Sequence, residues 1–537
     1  MIEATVDPAS VSQPEFGLIV EKDIDMSARD GLCLKCDIFR PDGDGRFPVI
    51  MTLGPYPKGD HIDYGDRAEE SGPYMHWESA NPEWWVPRGY VQIRVDARGS
   101  GASPGYCDIL SRQETEDYYD CIEWAAVQSW CNGNVGLMGI SYFAVNQWNV
   151  AAMQPPHLKA MIPWEGWGDL YRDACYHGGI FSDGFFGTWY WPRVVERTLG
   201  ENPENWQQQF LPFYDIIQEI GLDDDFYRER SVDWDQVQTP FLSAGNWGNR
   251  ELHLRGNTEG YFRAAAADKR LRIHTGTHIA PFYRLEGRLD QMRYFDYWLK
   301  GIDNGLDQDP PVKLAIRTSA DEEQWRFENE WPLARTRWTK LFLDGRGGGR
   351  LADKAAADSG SVTYSAAGPR GDEFRGARFH TEAMSGDVEI TGPVSLVLWV
   401  SSSTEDMDIF ASLHNIDPDG REISFPNGMH EPAPVSKGWL RLSHRKLDAE
   451  LSEPWRPYHA HDEVQPLSPG EVVKAEVEIL PMSNILKKGH RLRLDIQPWD
   501  DSHQTRYSHD NSARWRGENT VYFGGPTASC LLLPFIP

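Results

Sequence analysis

Residues 134–144 have the sequence Asn-Val-Gly-Leu-Met-Gly-Ile-Ser-Tyr-Phe-Ala, in which a short apolar run leads directly into Ser141. Residues 142–153 follow without proline or glycine and favour a helix. Gly139 and Ala144 supply the small side chains that a sharp strand-to-helix turn needs. A serine at such a bend lies at a helix N-terminus, where free N–H groups favour developing negative charge. The segment therefore indicates a nucleophilic serine, although a serine that only caps the helix gives the same pattern.

The sequence around this segment alternates short apolar strands with helical patterns, from about residue 16 to residue 166. The predicted strands in this part are 19–25, 32–39, 48–53, 91–96, 135–138 and 159–163. Between two of them, residues 114–128 carry apolar and aromatic side chains at helical spacing. Strands that alternate with helices predict right-handed crossovers and a mostly parallel sheet.

An aromatic, acidic and helical stretch without strand alternation extends from about residue 169 to residue 234. The strand pattern then returns at residues 240–244 and 271–275. An insertion between two strands of one sheet is typical of a cap. We therefore interpret this stretch as a helical cap domain that covers one end of the sheet.

After Pro310 the sequence is rich in β patterns, with glycine and proline turns at short intervals. The clearest predicted strands there are 394–400, 407–414, 472–480 and 491–497. These features predict a C-terminal β-sandwich, most naturally a jelly roll. The predicted domains are an α/β domain of residues 1–168 and 236–309, a cap of residues 169–235, and a β-sandwich of residues 310–537.

Composition and charge exclude several classes of protein. Of the 537 residues, 40% are hydrophobic and 25% are charged, as in ordinary globular proteins. The net charge of −28 disfavours a nucleic-acid partner, because it would repel phosphates. No apolar run of about 18 residues predicts a membrane span, and the N-terminus has no secretion-signal pattern. Seven cysteines in so long a chain do not form a disulfide framework, so we expect a cytoplasmic protein. Assembly into a homo-oligomer is left open.

Several motifs occur in an order that resembles the serine hydrolases of the cocaine esterase and X-Pro dipeptidyl-peptidase group. Besides the Gly139–Ala144 elbow, they are residues 53–58 (LGPYPK), 95–101 (VDARGSG), 169–172 (DLYR), 295–301 (FDYWLKG) and 486–494 (LKKGHRLRL). The resemblance spans about residues 20–530. It implies an α/β-hydrolase domain with an inserted cap and a C-terminal jelly roll, and it implies Ser141 as the nucleophile.

The other catalytic parts follow from this resemblance. The base is expected on the loop after the last strand of the sheet, where His278 stands. His274 competes with it but lies within the predicted strand, so we expect it to be a packed core residue. For the oxyanion, the group uses a tyrosine hydroxyl from the early loop and the N–H after the nucleophile. These positions are Tyr56 and the main chain of Tyr142.

The third member of the expected triad is where this chain departs from the group. The usual aspartate follows the strand after the cap, and Gly248 or Asn249 fills that place here. The histidine still needs an acceptor to fix its tautomer and to stabilise imidazolium. Glu259 is the first choice, if its helix starts near residue 257. The alternatives are Glu165 at the end of the preceding strand, Asn249 as an uncharged partner, and Glu251.

Other short motifs do not carry chemistry. The G-x-S-x-G pattern at residues 101–105, with Ser103 at its centre, has no strand before it and no helix after it, so it predicts a turn. Cys33 and Cys36 would face opposite sides of a strand, which argues against a redox pair. Asp417-Pro-Asp-Gly420 predicts a β-turn, and no HExxH motif occurs. We therefore expect neither a metal nor another cofactor.

The sequence predicts a serine hydrolase that cleaves an ester or amide of a small molecule through an acyl-enzyme. The cap carries a run of aromatic side chains that would wall a pocket for a bulky apolar or aromatic substrate: Phe185, Phe186, Trp189, Tyr190 and Trp191. An X-Pro dipeptidyl-peptidase and an acyltransferase of the same fold are alternatives. A catalytically silent member that serves as a binding module is the alternative from another class.

Overall fold

The computed structural model describes residues 5–201, 203–319, 322–367, 374–500, 507, 509 and 515–537. Its strands are β1 (Leu18–Ser27), β2 (Cys33–Pro41), β3 (Phe47–Gly54), β4 (Val91–Asp96), β5 (Cys131–Ile140), β6 (Leu158–Trp164), β7 (Tyr176–His177), β8 (Ile180–Phe181), β9 (Phe241–Asn246), β10 (Lys269–His274), β11 (Val312–Arg317), β12 (Glu323–Glu328), β13 (Arg337–Asp344), β14 (Arg350–Ala352), β15 (Gly360–Ser365), β16 (Ala377–His380), β17 (Val388–Ser402), β18 (Asp408–Ile416), β19 (Glu422–Ile423), β20 (Phe425–Pro426), β21 (Pro432–Ala433), β22 (Ser436–Arg441), β23 (Val473–Leu486), β24 (Arg491–Gln497), β25 (Glu518–Phe523) and β26 (Cys530–Ile536). Its α-helices are α1 (Pro82–Trp85), α2 (Arg112–Ala126), α3 (Tyr142–Ala152), α4 (Asp183–Trp189), α5 (Glu196–Leu199), α6 (Phe213–Glu219), α7 (Asp225–Arg228), α8 (Leu254–Arg263), α9 (Ala280–Tyr283) and α10 (Leu285–Lys300).

The first sheet has ten strands in the order β1-β2-β4-β3-β5-β6-β9-β10-β11-β12. The strands from β4 to β11 are parallel, whereas β1, β2 and β12 pair antiparallel at the edges. The predicted mostly parallel sheet is therefore confirmed. The carboxyl ends of parallel strands meet at one edge, so the loops after β5, β6, β9 and β10 lie close together.

Helices cover both faces of this sheet because its central strands are apolar on both sides. Every residue of β3 and β4 is buried. On one face α2 and α3 contribute to a core that includes Tyr118 and Trp148. On the other face α10 contributes Phe295 and Leu299. The predicted helix at 114–128 corresponds to α2, which begins after Ser111, whose hydroxyl accepts a hydrogen bond from the Glu114 N–H.

The insertion between β6 and β9 forms short helices and the β7–β8 hairpin. Its aromatic side chains form one buried cluster with side chains of the loop after β3 and of the start of α3. Tyr56, Tyr142, Phe186 and Trp189 all belong to this cluster. The insertion therefore covers the end of the sheet at which the serine bend lies, as a cap does.

The C-terminal part is a β-sandwich whose strand pairing closes on itself. Its path runs β17-β23-β22-β18-β24-β16-β14-β13-β26, and β26 pairs back to β17. The interior is filled by aliphatic and aromatic side chains, such as Leu396, Val477 and Phe523. The first sheet continues through β11 and β12, past the predicted boundary at residue 309. The exact domain limits stay predictions.

The turn after β4 contains the rejected G-x-S-x-G pattern. Ser103 is buried there, and its hydroxyl donates to the Asp96 carbonyl at 2.7 Å. Gly99 and Gly101 have positive φ values of 75° and 52°. The prediction of a turn is confirmed. All seven cysteines are free, and no helix in the described ranges is long and apolar enough to cross a membrane.

Candidate active site

Ser141 lies at a sharp bend between β5 and α3. Its φ and ψ angles are 60° and −118°, a combination that costs about 1–3 kcal/mol for a residue with a side chain. Its N–H is held by the carbonyls of Trp164 and Glu165, at 3.0 and 3.1 Å. A Cβ at Gly139 would come within 2.4 Å of the Phe143 Cβ, so only glycine fits there. The small-residue pattern that predicted the bend therefore has a steric cause.

The hydroxyl of Ser141 hydrogen-bonds to a histidine that sequence reasoning missed. Ser141 Oγ lies 3.3 Å from His253 Nε2. The His253 ring is fully buried and sandwiched between the rings of Trp167 and His278, each at 5.3 Å and nearly parallel. Burial, and then the neighbouring His278, lower the pKa of His253 well below its ordinary value. His253 is therefore neutral beside the serine.

His278 lies on the loop after β10, as predicted, but it does not hydrogen-bond to Ser141. Its Nδ1 is 2.7 Å from Glu165 Oε2, and its Nε2 is 3.1 Å from Glu78 Oε1. Burial alone would lower the pKa of His278, but the carboxylates of Glu165 and Glu78 raise it to about 10. The His278 ring is thus held as imidazolium between two carboxylates, and its centre lies 5.3 Å from that of the His253 ring.

Glu165 is the carboxylate that orients His278. It follows β6 directly, and its own φ of 51° turns the chain at the end of the strand. Its side chain is fully buried and accepts hydrogen bonds from the Asn246 and Asn249 amides, at 3.1 and 2.8 Å. His274 Nε2 lies 3.5 Å from its other oxygen. The structure therefore brings the second-choice acid of the sequence analysis to the histidine.

Glu259 is not at this site, and its expected role is corrected. Its carboxylate binds the Arg456 guanidinium, at 2.5 and 2.7 Å. Helix α8 begins at Leu254, not near residue 257, so Glu259 lies on its second turn and meets the β-sandwich domain. Glu251 is also elsewhere, since it faces Lys437 at 3.5 Å.

Asn249 fills the place of the aspartate that the resemblance led us to expect. Its Nδ2 lies 2.8 Å from Glu165 Oε2 and 3.1 Å from His278 Nδ1. Asn249 therefore braces the carboxylate–histidine pair. A loop of the β-sandwich domain covers this point. Its Gly428 carbonyl accepts a hydrogen bond from the main-chain N–H of His278 at 2.8 Å. A side chain at 428 would meet Asn249 at 3.1 Å, so glycine allows the close approach.

His274 is the core residue that we expected. It ends β10, is buried, and stacks on Trp164 with a ring separation of 5.0 Å. Burial lowers the pKa of His274 to about 4.

Glu78 is a second residue that the sequence did not reveal. It lies in an irregular segment before α1, is 3% exposed, and has a φ of 55°. Its Oε1 binds His278, while its Oε2 is buried without a hydrogen-bond partner among the described residues. Burial raises the pKa of Glu78. No periodicity marks this position; its main-chain carbonyl, which accepts the Ile140 N–H at 2.9 Å, ties the segment to the serine strand.

Tyr56 lies just beyond β3 and is buried beside the serine helix. Its hydroxyl accepts a hydrogen bond from Trp189 Nε1 at 2.9 Å, and its ring is 5.9 Å from that of Tyr142. The loop that carries it is held by the Lys58 N–H, which donates to Asp96 Oδ1 at 2.6 Å. Tyr142 is the first residue of α3, where N–H groups have no acceptor within the helix. Both expected oxyanion donors thus lie at one end of the sheet.

The predicted cap aromatics do not all reach this site. Trp189 reaches it through Tyr56 and stacks near Tyr142, at 6.3 Å. Trp191 packs on Trp206 instead, at 5.3 Å. The other three, Phe185, Phe186 and Tyr190, pack around Trp189.

A small cavity of about 40 Å³ opens beside the Tyr56 ring. Trp77, Arg193 and Arg197 contribute to its wall, and the Arg193 guanidinium lies 4.6 Å from the Trp77 ring centre. The remaining wall residues are Asp60, His61 and Ile62, so the cavity combines aromatic and charged side chains. The arrangement as a whole joins a strained serine, two imidazoles, two buried carboxylates and the two residues expected to bind the oxyanion.

Comparisons with known proteins agree with this arrangement. The sequence profile of X-Pro dipeptidyl-peptidase (S15 family) matches residues 30–280, and that of the X-Pro dipeptidyl-peptidase C-terminal non-catalytic domain matches residues 304–532. The chain is similar to cocaine esterase from Rhodococcus sp. (strain MB1 Bresler), with 26% identity over 96% of this chain and 98% of that protein. It is also similar to the Xaa-Pro dipeptidyl-peptidase of Streptococcus gordonii, with 21% identity over 88% of this chain and 72% of the other.

A solved structure gives a higher similarity. The crystal structure of a CocE/NonD family hydrolase from Staphylococcus aureus is 35% identical in sequence and superposes with a TM-score of 0.90. The match covers 97% of this chain and 94% of that one. The similarity therefore includes the hydrolase domain, the cap and the β-sandwich together.

Proposed function

The chain belongs to the CocE/NonD family of hydrolases, and we propose that within this family it cleaves small-molecule esters or amides through an acyl-enzyme on Ser141. That it is a serine hydrolase follows from its similarity to cocaine esterase and to the X-Pro dipeptidyl-peptidases. The catalytic roles of individual residues and the substrate belong to the proposal.

One observation carries the assignment of residues. Ser141 stands at a strained strand-to-helix bend with its Oγ 3.3 Å from an imidazole nitrogen. Beside that imidazole, His278 and Glu165 form an imidazolium–carboxylate pair. The chain order Ser141, Glu165, His278 is the order of nucleophile, acid and histidine in α/β-hydrolases. These contacts support Ser141 as nucleophile, and His278, oriented by Glu165, as a residue that takes part in acid–base catalysis.

The oxyanion of the tetrahedral intermediate would be held by the Tyr56 hydroxyl and the Tyr142 N–H. Tyr56 suits this task because its phenol is buried and stays neutral: burial, and then the nearby Glu78, raise its pKa well above the ordinary value. A neutral donor that is already oriented stabilises the developing charge without reorganisation.

The cap supports a bulky apolar or aromatic group in the substrate. Trp189 reaches Tyr56, and Trp77 and Ile62 line the adjoining cavity. Substrate profiling tests this point: aryl or branched acyl esters should be turned over in preference to short charged esters, and the reverse order would contradict the proposal.

An X-Pro dipeptidyl-peptidase is the second candidate, favoured by the S15 family match. Such an enzyme needs an acidic anchor for a free amino terminus. The proposed anchor is Glu78, which contacts His278 through Oε1 and whose buried Oε2 has no hydrogen-bond partner among the described residues.

Hydrolysis of an aryl ester and of an X-Pro anilide should be compared in the parent protein and in Ser141→Ala. We expect turnover of the ester that is lost in the variant. Faster hydrolysis of the anilide would favour the peptidase, and transfer of the acyl group to an added alcohol would favour an acyltransferase. No turnover in either protein would favour a silent binding member.

Further expectations remain part of this proposal. The closed strand pairing of the C-terminal domain supports a jelly roll. Seven free thiols support a reducing compartment such as the cytoplasm. The proposed partner is a small-molecule substrate, with no nucleic acid and no membrane, and assembly into a homo-oligomer stays open.

A further inference from the structure

We propose that acid–base catalysis in this site is divided between two stacked histidines: His253 takes the proton of Ser141, and His278 protonates the leaving group. The inference rests on the proposed function, since it needs Ser141 as the nucleophile. It makes His253 a catalytic residue, because its ring nitrogen contacts the reacting oxygen.

The first argument is the contact of Ser141 itself. Among the described residues, the side chain that hydrogen-bonds to Ser141 Oγ is His253, through Nε2 at 3.3 Å. The plane of this ring is fixed by the rings of Trp167 and His278, which lie on either side at 5.3 Å and within 5° of parallel. The step requires the tautomer of His253 with its proton on Nδ1, a buried atom without a hydrogen-bond partner among the described residues; a proton that leaves Ser141 then passes to Nε2.

The second argument is the occupancy of His278. Both of its ring nitrogens face carboxylates, Glu165 at 2.7 Å and Glu78 at 3.1 Å. To accept a proton from Ser141, the His278 imidazolium would first have to lose a proton, and its Nε2 would have to move from Glu78 to the serine. As an imidazolium it needs no such movement, because a leaving-group oxygen can share the Nε2–H with Glu78.

The surroundings of the two rings also give them different pKa values, lower for His253 and higher for His278. Burial and the adjacent imidazolium lower the pKa of His253, and within the described ranges no carboxylate hydrogen-bonds to its ring. Burial opposes protonation of His278 as well, but its two carboxylate partners outweigh it and raise its pKa to about 10. Two titratable groups whose pKa values are pushed apart mark the base and the acid of a reaction.

The proton balance closes in acylation. As Ser141 Oγ bonds to the substrate carbonyl carbon, its proton passes to His253 Nε2. As the bond from carbon to the leaving oxygen or nitrogen breaks, the Nε2 proton of His278 passes to that atom. The positive charge has then moved from His278 to His253, while Glu165 and Glu78 keep their charges.

Deacylation reverses the exchange. A water molecule gives a proton to His278 Nε2 as its oxygen bonds to the acyl carbon. The bond from that carbon to Ser141 Oγ breaks, and Oγ takes back the proton held by His253. Water has been consumed, and both histidines regain their resting states.

Three variants separate this account from one in which His278 does all the proton transfer. His253→Phe keeps an aromatic ring between Trp167 and His278 but removes the nitrogen at Ser141. His253→Gln offers an amide in place of that nitrogen. His278→Gln removes the imidazolium. His157→Gln is a matched control, because His157 is half-exposed and pairs with Glu123, which is not a residue of the site.

Single-turnover acylation should be measured with two esters of one acyl group, a nitrophenyl ester with a good leaving group and an alkyl ester with a poor one. We expect His253→Phe and His253→Gln to slow acylation about 100-fold or more with both esters, as loss of a general base does. His278→Gln should slow acylation of the alkyl ester by about the same factor, but that of the nitrophenyl ester by less than about tenfold. In an additional variant, His253→Ala, added imidazole should restore part of the rate.

His278→Gln should also accumulate an acyl adduct on Ser141 with the nitrophenyl ester, visible as a mass increase of the intact protein. Acylation of His253→Phe or His253→Gln at the parental rate would overturn the inference, as would a His278→Gln variant that fails to acylate with either ester. Failure of the proposed function would look different: the parent protein would form no adduct on Ser141, or Ser141→Ala would retain turnover.

Discussion

Glu165 and His278 stand 113 residues apart in the chain, yet Glu165 Oε2 and His278 Nδ1 are 2.7 Å apart. The contact exists because β6 and β10 end at the same edge of the parallel sheet, with β9 between them. The carboxylate therefore comes from a strand one place away from the expected one, and Asn249 occupies the vacated position as a brace. A chain without the expected aspartate keeps a charged acceptor for its histidine.

The two glutamates that compete for this role can be separated by substitution. We expect Glu165→Gln to lower kcat for an aryl ester about 10³–10⁴-fold, because an amide neither fixes the histidine tautomer nor stabilises imidazolium. Glu259→Gln should keep kcat within a few-fold of the parent. It should instead lower the free energy of unfolding by about 3 kcal/mol, because Arg456 loses a buried ionic partner. Kinetics and urea unfolding of both variants check this, and the opposite pattern would restore Glu259 as the acid.

Asn249→Asp would place an aspartate where the resemblance first led us to expect one. We expect it to lower kcat by about tenfold or more, because two carboxylates 2.8 Å apart cannot both remain ionised. The double variant Glu165→Gln/Asn249→Asp should have a kcat at least about tenfold higher than that of Glu165→Gln, since the new aspartate is then the one carboxylate at His278 Nδ1. A gain of activity in the single variant would mean that Glu165 is not the working acid.

Tyr56→Phe removes the proposed oxyanion donor and leaves its aromatic contacts in place. We expect kcat to fall about 100–1000-fold, with a much smaller change in KM, because the hydroxyl acts on the transition state more than on the bound ester. Steady-state kinetics with an aryl ester measure both constants. A rise in KM of that size with no change in kcat would assign Tyr56 to substrate binding.

The His278 cluster makes stability depend on pH. The pKa of His278 is about 10 in the folded protein, above the ordinary value of 6.5, so folding favours the protonated ring. This stabilisation is fully present below about pH 6.5 and is lost as the pH rises through about 10. The free energy of unfolding in urea should therefore fall between pH 6 and pH 10 by a few kcal/mol more in the parent than in His278→Gln. Equal falls in both proteins would show that His278 is not held as imidazolium.

The parts of the site that follow from local sequence were predictable. The serine bend depends on an apolar strand, small residues at two positions and an uninterrupted helix, all within 20 residues of Ser141. The position of His278 after the last strand depends only on the order of the sheet. Both features lie in short stretches of the chain. Periodicity and turn chemistry predict the serine bend, and the family resemblance adds the role of Ser141 and the choice of His278 on its loop.

The partners of His278 depend on tertiary structure and were harder to find. Choosing Glu165 over Glu259 requires the start of α8 and the order of the sheet, in which only β9 separates β6 from β10. Glu78 lies in an irregular segment with no periodic signal. His253 follows Asn249 by four residues and precedes α8 directly. A histidine so close to the expected acid position was the signal that could have marked it.

The central claim is that Ser141 forms the covalent intermediate. Incubation with a fluorophosphonate probe, followed by mass spectrometry of the intact protein and of its peptides, measures this directly. The account predicts one probe per chain on the peptide that contains Ser141, with no labelling of Ser141→Ala and undiminished labelling of Ser103→Ala. Equal labelling of the parent and Ser141→Ala, or a label on another residue, would contradict it.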